Sequence, residues 1–404
     1  MSHEIGVLSL YEGFFSGGAR ILHTDVLTGL HGRGQNHRVL SIHGQVYREA
    51  TFQWMQDDPC YRKLVAAGVP VSALRDGDEG VPLFDEAELA AVAQEARHAD
   101  VVLTLKEQPL RLVNQAALRG PVITCLHRSD PENQGPALEQ LRTAVDAGRI
   151  AALVCCAEST RAAYRAVGIP GSLLEVIPNG VDLRRFRPDR HARTRLRGSL
   201  LIPDDAALVA FAARYDTMKN VPLFLAAAAR FLARDPRAHV VMCGAGMSAD
   251  NPGLRADLAA VGLEDSARVH LLGVYSSPQV LFAAADVVAL TSAFGEAAPL
   301  CLIEGMMCGA VPVTTDVGDS AAIVAGRGLL TAPEPEAIAA AWAEAAARRE
   351  ELLPALLSGR PRFGRSRMIA TYESLIRRTG GFSARRPRTT RLPKTAAPLL
   401  EAVV

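Results

Sequence analysis

Residues 208–243 read LVAFAARYDTMKNVPLFLAAAARFLARDPRAHVVMC. Leu208–Ala212 and His239–Cys243 are short, continuous apolar runs, the pattern of strands buried on both faces of a parallel sheet. Val221–Arg234 between them is Ala-rich and reads as a helix. Downstream the pattern repeats, with strands expected at Val269–Leu272, Val287–Leu290 and Val311–Thr314. The helices of this series are expected at Leu254–Val261, Pro278–Ala284 and Pro299–Met307. An equivalent series lies upstream. Its strands are expected at Ile5–Leu8, Val39–Ile42, Val101–Leu105, Pro121–Leu126 and Ala152–Cys155, with helices at Ala19–Arg33, Asp85–Arg97 and Glu158–Val167. Strand–helix alternation of this kind predicts an α/β chain, and two series predict two Rossmann-like, doubly wound domains.

Length and composition agree. A chain of 404 residues, 49% hydrophobic, can bury two cores. The join is expected near Ile177–Pro188, IPNGVDLRRFRP, punctuated by Pro178, Gly180 and Pro188. The expected division is 1–177 and 178–364 for the two domains, 365–379 for a C-terminal helix, and 380–404 for a disordered basic tail. The Arg-rich cluster of that tail could touch an acidic partner or make peripheral contact with a membrane surface; a solvated tail is the preferred reading.

Lys+Arg and Asp+Glu number 44 and 43, so no broad basic face is expected and nucleic acid is excluded as a partner. The start, MSHEIGVLSLYEGFF, lacks the basic n-region of a signal peptide, and no apolar run reaches transmembrane length. Seven cysteines without a C-x-x-C pair read as free thiols in a reducing cytoplasm.

Four segments could carry chemistry. Ser292–Gly309, SAFGEAAPLCLIEGMMCG, follows almost at once on the strand DVVAL. Pro299 suits the first turn of a helix, where a missing N–H costs nothing. Glu296 then lies in the loop before the helix, Glu304 inside it, and the free N–H groups near Ala298, Leu300 and Cys301 form an anion site. The spacing alone is equally that of solvated glutamates favoured by the helix dipole. Arg214 and Lys219 follow the first strand of the second series, where open parallel sheets bind ligands, and two cations there suit a diphosphate. A surface Arg and a solvated Lys are the plainer alternative. In FFSGGAR, Gly17 and Gly18 would let backbone approach a ligand, although a tight turn explains them as well and the G-x-G-x-x-G fingerprint is absent. His127, in VITCLHRSD, ends a first-domain strand; as a neutral imidazole it could meet a sugar hydroxyl, with Asp130 orienting it or binding acceptor. A histidine capping a loop is the alternative.

Taken together, over residues 1 to about 378, the chain resembles the family 4 glycosyltransferases of the GT-B fold. The resemblance is carried by GGARILHTDVLTGLHGRG, VIPNGVDLRRF, Arg214 with Lys219 in R-x-x-x-x-K spacing, VVMCGAG, VHLLGVYS, and S-x-x-x-E-x-x-P-x-x-x-x-E from Ser292 to Glu304, in that order. It implies a first domain that takes the acceptor and a second that takes a UDP- or GDP-sugar, facing each other across a cleft. It implies transfer of a hexose-type sugar with retention to an acceptor hydroxyl of a glycan, glycolipid or small natural product. Arg214 and Lys219 would hold the donor diphosphate, and Glu304 the ribose. Glu296 would face the donor sugar. Amides from Ala297, Ala298 and Leu300 would bind sugar and phosphate, Pro299 having none to give. Gly17 and Gly18 would lie near the phosphates, His127 beside the reacting sugar, and Val274 against the base through its backbone. No cofactor is implied, and with no paired-Asp motif metal independence is expected. Where the family often has Gly and an aromatic after the first Glu, this chain has Ala297 and Ala298. Rival readings are a GT-B epimerase or hydrolase of nucleotide sugars, an inactive nucleotide-sugar-binding scaffold, and, for lack of the glycine fingerprint, a much weaker nicotinamide dehydrogenase. The segment His43–Val71 matches no motif.

Overall fold

The computed structural model describes residues 4–15, 17–48, 51–77 and 83–383. The chain folds into two α/β lobes, each built on a parallel sheet. The first sheet has seven strands in the order Val71–Arg75, Gln35–His43, Ile5–Tyr11, Val101–Leu105, Val122–Leu126, Ile150–Cys155, Leu174–Val176. The second has six, in the order Val269–Leu271, His239–Cys243, Leu208–Ala212, Val287–Leu290, Val311–Thr314, Leu329–Leu330. Every pairing in both sheets is parallel.

Each sheet reverses its winding direction beside its first strand. In the first lobe the switch falls between Ile5–Tyr11 and Val101–Leu105; in the second it falls between Leu208–Ala212 and Val287–Leu290. Ligands of open parallel sheets bind outside the carboxyl ends of the strands at such a point. The segments leaving those ends are 12–18 and 106–107 in the first lobe, and 213–220 and 291–299 in the second.

The second-lobe core is centred on Trp342, which is fully buried; Phe224 lies 5.1 Å from it and stacks on Phe211 at 4.3 Å. The first lobe buries apolar side chains on both faces of its sheet. One of those faces is completed from the far end of the chain. Helix Arg365–Ser383 returns to the first lobe, and Met368, Tyr372, Leu375 and Ile376 join Val7, Tyr11, Leu27 and Leu103 in one cluster. The helix passes the expected end at residue 379 because Thr379 is buried and Gly380 sits where a Cβ would lie 3.3 Å from Val101 Cγ2. The rest of the expected tail, residues 384–404, lies outside the described residues.

The outgoing and returning connections run side by side. Val181 N donates to Phe363 O and Arg365 N to Val181 O, both at 2.8 Å. A Cβ on Gly180 would lie 2.8 Å from Gly364 O, so backbone crosses backbone there. Among the described residues no helix is long and apolar enough to cross a membrane.

The unplaced segment after His43 forms an antiparallel ribbon, Gln45–Arg48 with Thr51–Trp54. It stands beyond the carboxyl end of the strand Gln35–His43.

Candidate active site

The strand Leu208–Ala212 delivers its chain to a turn that holds the cations. Asp216 caps the 3₁₀ turn Thr217–Lys219 through Met218 N, at 2.8 Å. Asn220 follows with φ +51°, a conformation that Asn tolerates better than most residues. Thr291 Oγ donates to Lys219 O at 3.1 Å, tying this turn to the end of the neighbouring strand. Arg214 contacts Asp216 at 3.3 Å and is partly exposed. Lys219 Nζ pairs with Glu296 Oε1, and Ser292 Oγ donates to the same oxygen at 2.6 Å. Glu296 is buried.

Helix Leu300–Met307 begins one residue later than expected. Pro299, at φ −65° and ψ 117°, is its N-cap, because its ψ is extended and not helical. The preceding loop is anchored through three successive carbonyls. Glu296 O accepts from Ser129 Oγ, Ala297 O from Asp319 N at 2.8 Å, and Ala298 O from Asn179 Nδ2 at 3.0 Å. In a planar trans peptide the next N–H points opposite to the carbonyl. The amides of Ala297 and Ala298 are therefore turned away from the partners that hold the loop.

Glu304 lies inside the helix, half-buried, and burial pushes its carboxyl up to about 8, with Arg185 pulling against it. Arg185 is itself held by Gln279 Oε1 at 2.9 Å and Ser276 O at 3.1 Å. Gly305 follows because a Cβ there would lie 2.5 Å from Val288 Cγ1 on the adjacent strand. Val274 is 82% exposed just past the strand Val269–Leu271. Gly244, at φ +136°, sits with its Cβ position 2.0 Å from Ala213 O, so only glycine lets this turn lie against the one that leads to Arg214.

The first lobe meets these elements directly. A Cβ on Gly18 would lie 3.0 Å from Leu300 Cδ1, which places the glycine turn against the start of the helix; Gly17 has open space around it. Its φ of 171° is ordinary extended backbone. His127 follows the strand Val122–Leu126 with its Nε2 buried and unpartnered. Burial, with the Lys106 charge adding to it, lowers its pKa to about 3, so the ring is neutral.

Asp130 does not orient His127. Its carboxylate is taken by Arg128, whose Nε lies 2.6 Å from Oδ1, and the pair packs over Gly295 of the second lobe. A further contact was invisible in the sequence. Asp319 of the second lobe accepts from Glu158 N at 2.9 Å and Ser159 N at 2.8 Å, capping the first-lobe helix Glu158–Ala166, which makes no side-chain cap of its own. Ser292, Ser129, Asn179 and Asp319 thus support the site. Ser292, which opens the Ser292–Glu304 motif, and Asn179, within VIPNGVDLRRF, carried a local signal. Among the described residues no three His, Cys, Asp or Glu side chains converge to hold a metal ion.

Two parallel-sheet lobes meeting at the second lobe's switch point define an α/β architecture of the GT-B type. Solved structures share that fold. Anabaena HepE, crystallised with UDP and glucose, aligns at TM-score 0.75 and 22% identity over 92% of this chain and 99% of that one. WaaG, a glycosyltransferase involved in lipopolysaccharide biosynthesis, aligns at TM-score 0.67 and 16% identity over 92% and 99%. The model for Glycosyltransferase Family 4 matches residues 16–185, and that for Glycosyl transferases group 1 matches residues 192–353. The chain belongs to the family 4 type of glycosyltransferase. Its sequence relatives include the D-inositol 3-phosphate glycosyltransferases of Salinispora arenicola, 35% identical over 36% of this chain and 35% of that one, and of Stackebrandtia nassauensis, 31% identical over 54% and 52%. The alignments thus span about a third to a half of the length of these relatives.

Proposed function

We propose that the chain transfers a hexosyl group from a UDP- or GDP-sugar to an acceptor hydroxyl, with retention of configuration. The observation that carries this reading is the gathering of Lys219, Ser292, Glu296 and the start of helix Leu300–Met307 at the second lobe's switch point, with Gly18 of the first lobe against Leu300 and Ser129 of the first lobe donating to Glu296 O. Arg214 and Lys219 take the donor diphosphate, joined by the amides before and at the helix start, Ala297, Ala298 and Leu300. Glu304 takes the ribose, and Val274 offers backbone to the base. Lys219 already lies on Glu296, so the phosphate and the carboxylate share one ammonium in the donor complex.

In the reaction the bond from the anomeric carbon to the donor phosphate breaks. The acceptor oxygen forms its bond on the same face, and the departing phosphate takes the acceptor's proton. The two cations and the helix N-terminus stabilise the charge that develops on that phosphate, which assigns to protein groups the work a metal would otherwise do. His127, neutral, donates or accepts a hydrogen bond at the sugar. With all seven cysteines as free thiols, a reducing cytoplasmic setting fits.

The test is a thermal-shift screen of nucleotide sugars followed by turnover with and without acceptors. A ligand that binds the native state alone raises the melting temperature by mass action. UDP-glucose is the first donor to try, because HepE is described in complex with it. Turnover of donor at full rate without any acceptor would replace this reading by a hydrolase or epimerase.

A further inference from the structure

The ribbon that follows His43 turns an aromatic face outward. Gln45 pairs with Trp54, Val46 with Gln53 and Tyr47 with Phe52. Side chains alternate between the faces of such a ribbon. Val46, 7% exposed, forms the inner face and lies against the loop after the first strand, where a Cβ on Gly13 would come within 2.3 Å of its Cγ1. Tyr47, Phe52 and Trp54 share the other face at 56%, 65% and 49% exposure, with the Tyr47 and Phe52 rings 4.8 Å apart. Three large rings held in water on one face of two short strands mark an interaction site.

A polar cluster stands at the foot of the ribbon. His43 N donates to Glu12 O at 3.1 Å, and Met55 N to Gly44 O at 2.8 Å, so the ribbon springs from this point. His43 Nδ1 donates to Gly77 O at 2.9 Å, which leaves Nε2 to accept from Arg111 Nη2 at 3.1 Å. The same Arg111 nitrogen lies 2.9 Å from Glu12 Oε1, while Glu12 Oε2 is buried without a partner. The cluster occupies the carboxyl edge of the first sheet beside its switch point.

We infer that the aromatic face of this ribbon is a platform for a pyranose ring of the acceptor, so that the acceptor is a saccharide or carries one. The inference rests on the reading above, in which the first lobe takes the acceptor. Aromatic faces pack against the C–H face of a sugar ring and leave its hydroxyls free. Gln45, beside Trp54, offers an amide to those hydroxyls. A lipid surface fits less well, because the guanidinium of Arg111 at the foot is already neutralised by Glu12 and gives anionic headgroups no net positive charge.

The chain has two tryptophans, and Trp342 is fully buried, so quenching of tryptophan fluorescence by acrylamide reports on Trp54. The experiment uses the full chain with maltose, cellobiose and trehalose as one set of probes, and phosphatidylglycerol–phosphatidylcholine vesicles as the other. A saccharide should shield Trp54. The double variant Tyr47→Ala with Phe52→Ala should weaken that shielding about tenfold in saccharide concentration, without moving the melting temperature. Phe52→Leu alone, which keeps bulk but loses the ring face, should weaken it as well. Shielding by vesicles and by no saccharide overturns the inference in favour of a membrane surface, and shielding by neither overturns it outright. UDP and GDP binding, measured by calorimetry on the same samples, separates the two readings. If neither nucleotide binds while a saccharide still shields Trp54, the donor-site reading falls and the platform stands.

Discussion

Lys219 Nζ and Glu296 Oε1 form an ion pair although the two residues lie 77 positions apart. Both side chains are largely withdrawn from water, at 14% and 8% exposure. The cation proposed for the phosphate and the carboxylate proposed for the sugar are thus one unit before any ligand arrives. Lys219→Ala should weaken UDP or GDP binding by about 2 kcal/mol, roughly thirtyfold. It should also lower the melting temperature, because a buried carboxylate loses its counter-charge. Arg214→Ala, at a partly exposed site, should weaken binding without the stability loss. Calorimetry with both nucleotides checks this, and wild-type affinity in both variants would remove these residues from the donor site.

Glu296 and Glu304 should separate kinetically. Glu304 is assigned to the ribose, whose contacts are the same in ground and transition states. Glu304→Ala should therefore raise the donor KM. Glu296 is assigned to the sugar, where positive charge develops, so Glu296→Ala should lower kcat by roughly ten- to a thousandfold. Glu296→Gln should keep the hydrogen bond from Ser292 and recover part of the rate. Steady-state kinetics giving pure KM effects in both alanine variants would withdraw the transition-state role.

Glu304 should also leave a mark on stability. Its folded pKa is raised from the ordinary 4.5 to about 8 by burial. The folded state therefore holds its proton more tightly than the unfolded chain does. That contribution is fully present below pH 4.5 and is lost as pH rises towards 8. The difference in melting temperature between the wild type and Glu304→Gln, followed across that window, should shift steadily against the wild type. A flat difference would mean that water reaches the carboxyl freely.

Asp319→Ala should loosen the contact between lobes. The cap it supplies to Glu158 N and Ser159 N is worth about 1 kcal/mol, so the change in melting should be small. The radius of gyration from small-angle scattering should rise as the lobes part. An unchanged radius together with unchanged kinetics would make this contact incidental to closure.

Chelation should leave transfer intact, since the proposed mechanism gives charge stabilisation to Arg214, Lys219 and a helix N-terminus. Turnover abolished by EDTA and restored by magnesium or manganese would refute that assignment.

Much of the fold was readable because its inner strands are unbroken apolar runs. Leu208–Ala212, His239–Cys243, Val287–Leu290 and Val311–Thr314 fall where they were expected, as does helix Val221–Arg234. The strand Gln35–His43 was read four residues short at its start, since Gln35 and His37 are polar yet buried. They escape the apolar pattern as polar side chains that share one buried hydrogen bond, His37 Nε2 lying 2.8 Å from Gln35 Oε1, while Gln35 Nε2 and His37 Nδ1 stay without a partner. The ribbon was unreadable for the opposite reason, as its aromatic side chains face outward. The spacing of Glu296 and Glu304 announced a helix start, but nothing local announced which distant side chains hold the loop before it. Ser129, Asn179 and Asp319 reach their partners across 167, 119 and 161 residues of chain. Asp130 lies close to His127 in sequence, but Arg128, closer still and charged, takes its carboxylate.

The return of helix Arg365–Ser383 to the first lobe has a consequence for how the protein is made. Val7, Tyr11 and Leu27 leave the ribosome well before Met368, Tyr372 and Ile376, which share their cluster. The second lobe keeps its own core, around Phe211, Phe224 and Trp342, within one continuous stretch of chain. At translation rates of about 5–20 residues per second, the stretch between the lobes' joins takes on the order of 10–40 s to synthesise. For that interval the first lobe exposes an unfinished apolar face to the cell. The half of the molecule that is born first is thus the half that matures last, and it is then that a chaperone has something to hold.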